Sequence, residues 1–326
     1  MPPSPKGPII VTGGAGFIGS NTVLALNERG EENILAIDRL GTGEKWKNLR
    51  GLRFDDYLDK DDLIARVRQR QLPPPRAIIH LGACSSTTER DADYLIHNNT
   101  IYTKELCEWA LETGARLIVA SSAATYGDGA LGYSDEDSVT PRLRPLNMYG
   151  YSKQVFDEWA LRHGLYERIV GLKFFNVFGP REHHKGEMRS VVHKAYGEVL
   201  ATGRISLFRS GHPEYRDGEQ KRDFVYVKDA VRVILSFLDN PDRNGLFNCG
   251  TGKARTWLDL AHAVFAALGR PPQVNWIDMP EHLADRYQYF TEAETAKLRR
   301  AGYTEPFTPL EDAVADYVDY LRKEEG

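Results

Sequence analysis

The 326-residue chain is 41% hydrophobic and 27% charged with a formal net charge of −4, the make-up of a globular protein of one large or two medium domains. So small a charge gives no electrostatic case for nucleic acid or an anionic membrane, and no run approaches the roughly 18 apolar residues that span a bilayer. Three cysteines without Cys-x-x-Cys spacing, and a polar, Pro-rich start over residues 1–8, point to reduced thiols in a cytoplasmic protein.

Ile9-Ile10-Val11 reads as a buried strand, 20–29 as a helix and Ile34-Leu35-Ala36-Ile37 as a second strand. A strand over 77–81, a helix over 100–113 and a strand over 116–120 continue the alternation. Apolar strands alternating with helices predict a parallel sheet covered on both faces, and crossover handedness favours the doubly wound arrangement. Residues 151–163 form the next predicted helix and 169–174 the next strand. Gly179-Pro180 then breaks the chain, 181–185 reads as polar and exposed, and 209–222 as a charged surface loop without periodicity. Strand-like then helical order returns over 223–238, and helices are expected over 257–268, 291–301 and 310–323. The expected division is a dinucleotide-binding domain over 1–175, with 223–250 returning to it, and a smaller α/β substrate-binding domain from 176–222 and 251–326.

The run Val11-Thr12-Gly13-Gly14-Ala15-Gly16-Phe17-Ile18-Gly19 follows a strand and opens a helix. Glycine is needed there for a tight turn, for close backbone approach to a pyrophosphate and for helix–sheet packing, and the pyrophosphate then sits on the positive helix end. Asp38, ending the second strand, is placed to meet the adenosine ribose. Together these features predict a Rossmann-type fold that binds a nicotinamide dinucleotide through Gly13, Gly16, Gly19 and Asp38. Asp38 alone suits the free 2′-hydroxyl of NAD. Arg39 and Lys45 would neutralise the 2′-phosphate of NADP, the cofactor expected here, and both readings stay open.

Tyr149 and Lys153 stand four residues apart, on one face of a helix. An ammonium and an oxidised nicotinamide beside the phenol would lower its pKa and make it an acid/base. Ser122 follows a strand end, where active-site groups collect in an open parallel sheet, and its hydroxyl can bond the same substrate oxygen. Tyr151, two residues from Lys153, faces away. Cys84 reads as an ordinary buried thiol without a basic partner. No metal site is expected, because adjacent His183 and His184 do not point at one ion.

The stretches 12–19, 121–127 and 149–153 resemble the extended short-chain dehydrogenase/reductase family that acts on nucleotide sugars. More specific are Gly82-Ala83-Cys84-Ser85-Ser86-Thr87-Thr88-Glu89, Phe175-Asn176-Val177-Phe178-Gly179-Pro180-Arg181-Glu182, His184-Lys185-Gly186, Arg222-Asp223-Phe224-Val225-Tyr226-Val227, Gly250-Thr251-Gly252 and Arg286-Tyr287-Gln288. These are similar, nearly end to end, to the branch that inverts C6 of an ADP-activated heptose. The resemblance implies a tightly held NADP, Tyr149 as acid/base and Lys185 as a second. It implies cofactor contacts from Phe17, Ile18, Asp38, Arg39, Lys45 and Lys60, and from Leu81, Gly82, Ala83, Cys84 and Ser85. Asn98, Lys153, Val177 and Lys185 complete that set. Substrate contacts fall to Ser122, Asn176, Lys185, Phe208, Arg222 and Tyr287, and to positions 187 and 194, here Glu187 and Lys194, with a homo-oligomer expected and no nucleic-acid or membrane partner.

Three features depart from the family pattern. Residues 209–222 are longer than the family's link, Glu187 replaces a small hydroxyl residue, and Lys194 replaces a histidine. On its residues alone, Lys185 also reads as a phosphate-binding loop lysine. Ala123-Ala124 after Ser122 disfavours a dehydratase, which places Asp-Glu there. A sugar 4-epimerase remains an alternative, as does a non-catalytic dinucleotide sensor, although sensors typically lose the tyrosine kept here.

Overall fold

The computed structural model describes residues 7–280 and 287–325. Its twelve strands are β1 (Ile9–Thr12), β2 (Ile34–Asp38), β3 (Asp56–Asp59), β4 (Ala77–His80), β5 (Arg116–Ser122), β6 (Val170–Phe174), β7 (Asn176–Phe178), β8 (Ile205–Phe208), β9 (Lys221–Tyr226), β10 (Gly245–Cys249), β11 (Ala254–Thr256) and β12 (Val274–Ile277). The helices are α1 (Phe17–Glu28), α2 (Lys60–Arg68), α3 (Ala92–Leu95), α4 (Tyr102–Thr113), α5 (Met148–Arg162), α6 (Val191–Thr202), α7 (Val227–Asp239), α8 (Trp257–Leu268), α9 (Ala296–Arg300) and α10 (Leu310–Glu325).

The central sheet has seven strands in the order β10-β6-β5-β4-β1-β2-β3, and all its pairings are parallel. This is the doubly wound Rossmann-type α/β order, with one strand added beyond β6. Its strands are buried on both faces. Ile10, Ile37, Ile78, Leu117 and Val119 pack towards α4 and α5 on one side. Ile9, Val11, Ile79 and Ile118 pack against α1 and α7 on the other. The chain order reverses between β1 and β4, where such sheets open a crevice at their carboxyl ends.

The second lobe is built from α6, α8 and α10 around Val192, Tyr196, Phe265, Val314 and Tyr317. Its sheets are β11-β9-β7 and β12-β8. Strand β9 belongs here, pairing with β7 and β11, so the return to the large sheet begins at α7 rather than at Asp223.

Several expected boundaries move. α1 starts at Phe17 because the glycine turn runs directly into the helix, and α5 starts at Met148, capped by the Asn147 side chain on the Gly150 N–H at 2.8 Å. The helix expected over 100–113 is preceded by α3 and a π-helical turn, Ile96–Ile101. The helix expected over 291–301 shrinks to α9. Residues before it run extended beside β9, with the Thr291 N–H donating to the Lys221 carbonyl at 3.2 Å. Residues 1–6 of the Pro-rich start, and Arg286, lie outside the described residues.

Candidate active site

The phosphate turn is locked by contacts that only glycine permits. Gly13 has φ 69°, and a Cβ there would lie 2.8 Å from the Gly82 nitrogen. Beneath it, Thr12 and His80 are register partners on β1 and β4. Burial, then the Lys153 charge, pushes the His80 pKa down to about 3, so its ring is neutral. Thr12 Oγ1 accepts from the Gly82 N–H at 3.0 Å and meets His80 Nδ1 at 2.6 Å, while His80 Nε2 meets Thr103 Oγ1 at 2.8 Å. This network fixes the two glycine turns face to face.

A groove of about 160 Å³ opens above them, lined by Gly13, Asp38, Arg39, Lys45, Lys60, Gly82, Ala83, Cys84 and Asn98, with Tyr94 and Tyr102. Asp38 is buried, and its Oδ2 accepts from the Ala15 N–H at 2.9 Å. Its Oδ1 accepts from the Arg39 N–H at 2.7 Å and pairs with Lys45 Nζ at 2.6 Å. Lys60 Nζ pairs with Asp61 at 2.6 Å and lies 5.8 Å from the Tyr102 ring. The narrow glycine cradle, the helix end at Phe17 and Ile18, and the ribose carboxylate fit a dinucleotide.

Cys84 departs from expectation. It follows the carboxyl end of β4, which lifts it out of the core, so it is half-exposed on this groove. Asn99, on the π-helical turn, clasps its backbone: the Cys84 N–H donates to Oδ1 and Nδ2 donates to the Cys84 carbonyl, both at 2.9 Å. Asn98 Nδ2 donates to Asn99 Oδ1 at 2.9 Å. Asn99 carried no sequence signal, since π turns have none, although such turns recur at functional sites.

Tyr149 and Lys153 are one turn apart on α5, and the Tyr149 phenol faces the Ser122 hydroxyl at the end of β5. Gly150 allows this approach, because a Cβ there would stand 2.6 Å from the Ala124 carbonyl oxygen. Lys153 Nζ donates to the Ala120 carbonyl at 2.8 Å. Tyr151 points outward, 51% exposed. The expected lowering of the phenol calls for an oxidised nicotinamide as well as the lysine, and in the protein alone burial sets the direction. Burial pushes the Tyr149 pKa above its ordinary value, against the pull of Ser122, and burial pushes Lys153 down to about 8. Below it, fully buried Asp157 pairs with Lys173 at 2.8 Å and accepts from Ser121 at 2.6 Å and Tyr166 at 2.8 Å, holding α5 against the sheet. This anchor was not evident from sequence spacing.

Lys185 sits elsewhere in the site. Its Nζ lies 4.9 Å from the Phe17 ring centroid and 3.7 Å from Glu182 Oε2, and burial lowers its pKa against the pull of Glu182. The segment expected to be exposed is in fact docked. Glu182 is buried, and Arg181, His183, His184 and Lys185 are half-buried, because hydrogen bonds from Asn21 and Asn48 pin Pro180 and Arg181 to the phosphate-loop side.

Arg222 is buried between aromatic rings, 5.1 Å from Tyr287 and 5.8 Å from Trp257, and burial lowers its pKa. Among the described residues its guanidinium has one hydrogen bond, to the Lys221 carbonyl, and no carboxylate partner. The loop before it is more than a polar surface. His212 and Tyr215 pack on Tyr289, and Tyr289 packs on Tyr287 beside Arg222. Irregular aromatic spacing hid this cluster from a periodicity reading. Phe208 ends β8 in register with Ile277, and Asn176 and Val177 begin β7, Asn176 exposed and Val177 half-buried. Lys194 Nζ reaches Glu187 Oε2 at 3.2 Å with that carboxylate 95% exposed, so the two unusual residues satisfy each other at the surface.

Comparison with known proteins places this geometry. The model of the NAD dependent epimerase/dehydratase family matches residues 9–250. A protein of Nitratidesulfovibrio vulgaris strain Hildenborough, named ADP-L-glycero-D-manno-heptose-6-epimerase, is 58% identical over 310 residues, covering 95% of this chain and 96% of its own. The crystal structure of a Helicobacter pylori protein of the same name superposes with a TM-score of 0.82 at 28% identity, covering 97% of this chain and 96% of that one. A Thermus thermophilus UDP-glucose 4-epimerase in complex with NAD superposes with a TM-score of 0.75 at 27% identity, covering 96% and 98%.

Proposed function

Because the chain belongs to the NAD dependent epimerase/dehydratase family, we propose that it converts ADP-D-glycero-D-manno-heptose to ADP-L-glycero-D-manno-heptose by inverting C6. The product would supply heptose for the lipopolysaccharide inner core. A nicotinamide dinucleotide, when bound, accepts a hydride from C6 and returns it, so the alcohol passes through a ketone without net redox change.

The chain's own residues do the rest. The glycine turn and the α1 N-terminus hold the pyrophosphate, and Asp38, Arg39 and Lys45 face the adenosine ribose. The Lys45–Asp38 pair offsets the carboxylate charge and leaves Arg39 exposed beside it, which supports NADP over NAD. Tyr149 takes and returns the proton on the C6 oxygen, Ser122 bonds that oxygen, and Lys153 orients the phenol. Inversion puts the C6 oxygen in two places, one per epimer. Lys185 serves the second place. Arg222, buried without a carboxylate partner among the described residues, suits the substrate pyrophosphate through charge-assisted bonds. Tyr287, Phe208, Asn176, Glu187 and Lys194 are the further proposed substrate contacts, and a homo-oligomer is the proposed assembly.

The observation that carries this reading is the Tyr149 phenol facing the Ser122 hydroxyl, beside Cys84 of the dinucleotide groove, in a chain matching a heptose 6-epimerase over nearly its whole length. The test is to incubate the purified protein with ADP-D-glycero-D-manno-heptose and follow the C6 configuration by NMR, with UDP-glucose in parallel. Conversion at C6 and an unchanged glucose are expected. Inversion of UDP-glucose at C4, with the heptose untouched, would overturn the substrate. Denaturing the protein and assaying the supernatant for NADP and NAD tests the cofactor, with NADP expected in excess.

A further inference from the structure

The loop that carries Lys185 enters the left-handed backbone region on both sides of the lysine, at Arg181 (φ 72°) and Gly186 (φ 53°). For a residue with a side chain, such as Arg181, that conformation is unfavourable and persists only where surrounding contacts over-determine it. The far end of the loop is held by Glu182, whose carboxylate accepts from the Ser190 N–H at 2.7 Å, the Ser190 hydroxyl at 2.5 Å and the Tyr317 hydroxyl at 3.0 Å. At the near end Asn21 holds Pro180, and a second buried amide holds Arg181 itself.

That amide is Asn48, on a single 3-10 turn over Glu44–Leu49. Its Nδ2 donates to the carbonyls of Ala15 and Arg181, both at 3.0 Å, and lies 3.1 Å from His184 Nδ1. Two hydrogens therefore serve three acceptors, one of them shared. The Asn48 carbonyl in turn accepts from Arg181 at 2.6 Å, so the two residues bond each other reciprocally. Burial, then the charges of Lys45 and Lys185, holds the His184 pKa down at about 4, which leaves Nδ1 available as an acceptor. Ala15 lies within the phosphate turn, and Lys45, on the same short turn as Asn48, pairs with Asp38. One short segment thus touches the phosphate turn, the ribose carboxylate and the Lys185 loop.

We propose that Asn48 is a positioning residue: its amide ties the loop of Lys185 to the phosphate-binding turn and so sets the ammonium for its proton transfer. This rests on the reading of Lys185 as the second acid/base. The anchors at Glu182 and Asn21 and the Arg181 bond to the Asn48 backbone carbonyl remain when the side chain is changed, so the consequence falls on residues 181–185 and on the Ala15 carbonyl.

The test uses the purified protein with its cofactor and four chains: the unchanged protein, Asn48→Leu, Asn48→Ser and Lys185→Met. Single-turnover absorbance of reduced nicotinamide is followed after mixing with each C6 epimer separately. Lys185→Met identifies the epimer whose oxidation needs the lysine. Asn48→Leu, close in size but without a donor, is expected to slow that same epimer about a hundredfold, the scale of an ångström misplacement, and to spare the other. Asn48→Ser keeps a donor for one acceptor and is expected to fall between, which preserves the test if the leucine variant does not fold. Without substrate, amide hydrogen exchange in Asn48→Leu should rise over 181–185 and stay unchanged over α5. Equal slowing of both epimers, or no slowing of either, would overturn the role of Asn48. A Lys185→Met protein that oxidises both epimers normally would overturn the second-base reading itself, whatever Asn48 does.

Discussion

At the scale of single residues, the chemistry turns on one phenol whose protonation the protein alone does not favour. Burial raises the Tyr149 pKa and brings Lys153 down to about 8, so positive charge from a bound oxidised nicotinamide is needed to produce phenolate near neutral pH. Titrating ¹³Cζ-labelled tyrosine by NMR should therefore show the Tyr149 pKa falling when oxidised cofactor is added to the cofactor-free protein. An unchanged value would remove the phenol from this role. Tyr149→Phe should lower kcat by about a hundredfold or more while the protein keeps its bound cofactor, a split that steady-state kinetics and a cofactor assay resolve. Tyr149, Lys153 and Ser122 were legible in the sequence because helical spacing and a strand end place them without knowledge of the rest. The burial that raises the phenol's pKa in the protein alone was not, because desolvation depends on what packs around the ring. Asn48, Asn99 and Asp157 were equally silent, since each acts on a segment distant in the chain.

At the scale of elements, α5 is the part that must not shift, and the Asp157–Lys173 pair beneath it is sealed from solvent. Lys173→Met leaves a buried carboxylate with hydroxyl donors but no cation, which is expected to cost about 3–5 kcal/mol in denaturant unfolding at neutral pH. A loss below about 1 kcal/mol would mean that the pair is not a structural anchor. The β1–β4 switch point carries a pH signature through His80, whose folded pKa of about 3 lies below the ordinary 6.5. A folded state that keeps the ring neutral gains its full contribution above pH 6.5 and loses it as pH falls towards 3, because the unfolded chain takes up the proton first. The stability advantage of the unchanged protein over His80→Asn should shrink steadily from pH 7 to pH 4 in thermal melts. An advantage independent of pH would contradict a neutral, buried ring. The alternation of elements was readable from apolar runs, whereas the residues before α9 were misread as helix because their partner is the distant edge of β9.

At the scale of the whole molecule, five of the seven strands of the large sheet follow from the sequence, since continuous apolar runs and a glycine turn leave few ways to build a parallel sheet, whereas the short edge strands β3 and β10 were not read as strands. The small lobe was less legible. β7, β9 and β11 join from places far apart in the chain, and the aromatic cluster of His212, Tyr215, Tyr287 and Tyr289 has no periodic spacing. The Tyr149–Ser122 pair at the end of β5 and the Lys185 loop, bonded to Asn48 in one lobe and Tyr317 in the other, underlie the central claim that C6 is inverted by lifting its hydrogen and returning it to the same carbon. The most direct measurement is to run the reaction on ADP-D-glycero-D-manno-heptose in D₂O and read the product C6 by NMR. Inverted configuration with protium retained at C6 is the predicted result, because hydrogen held on a bound cofactor does not mix with solvent. Deuterium at C6 of the inverted product would show proton abstraction and return through solvent, and would contradict the account.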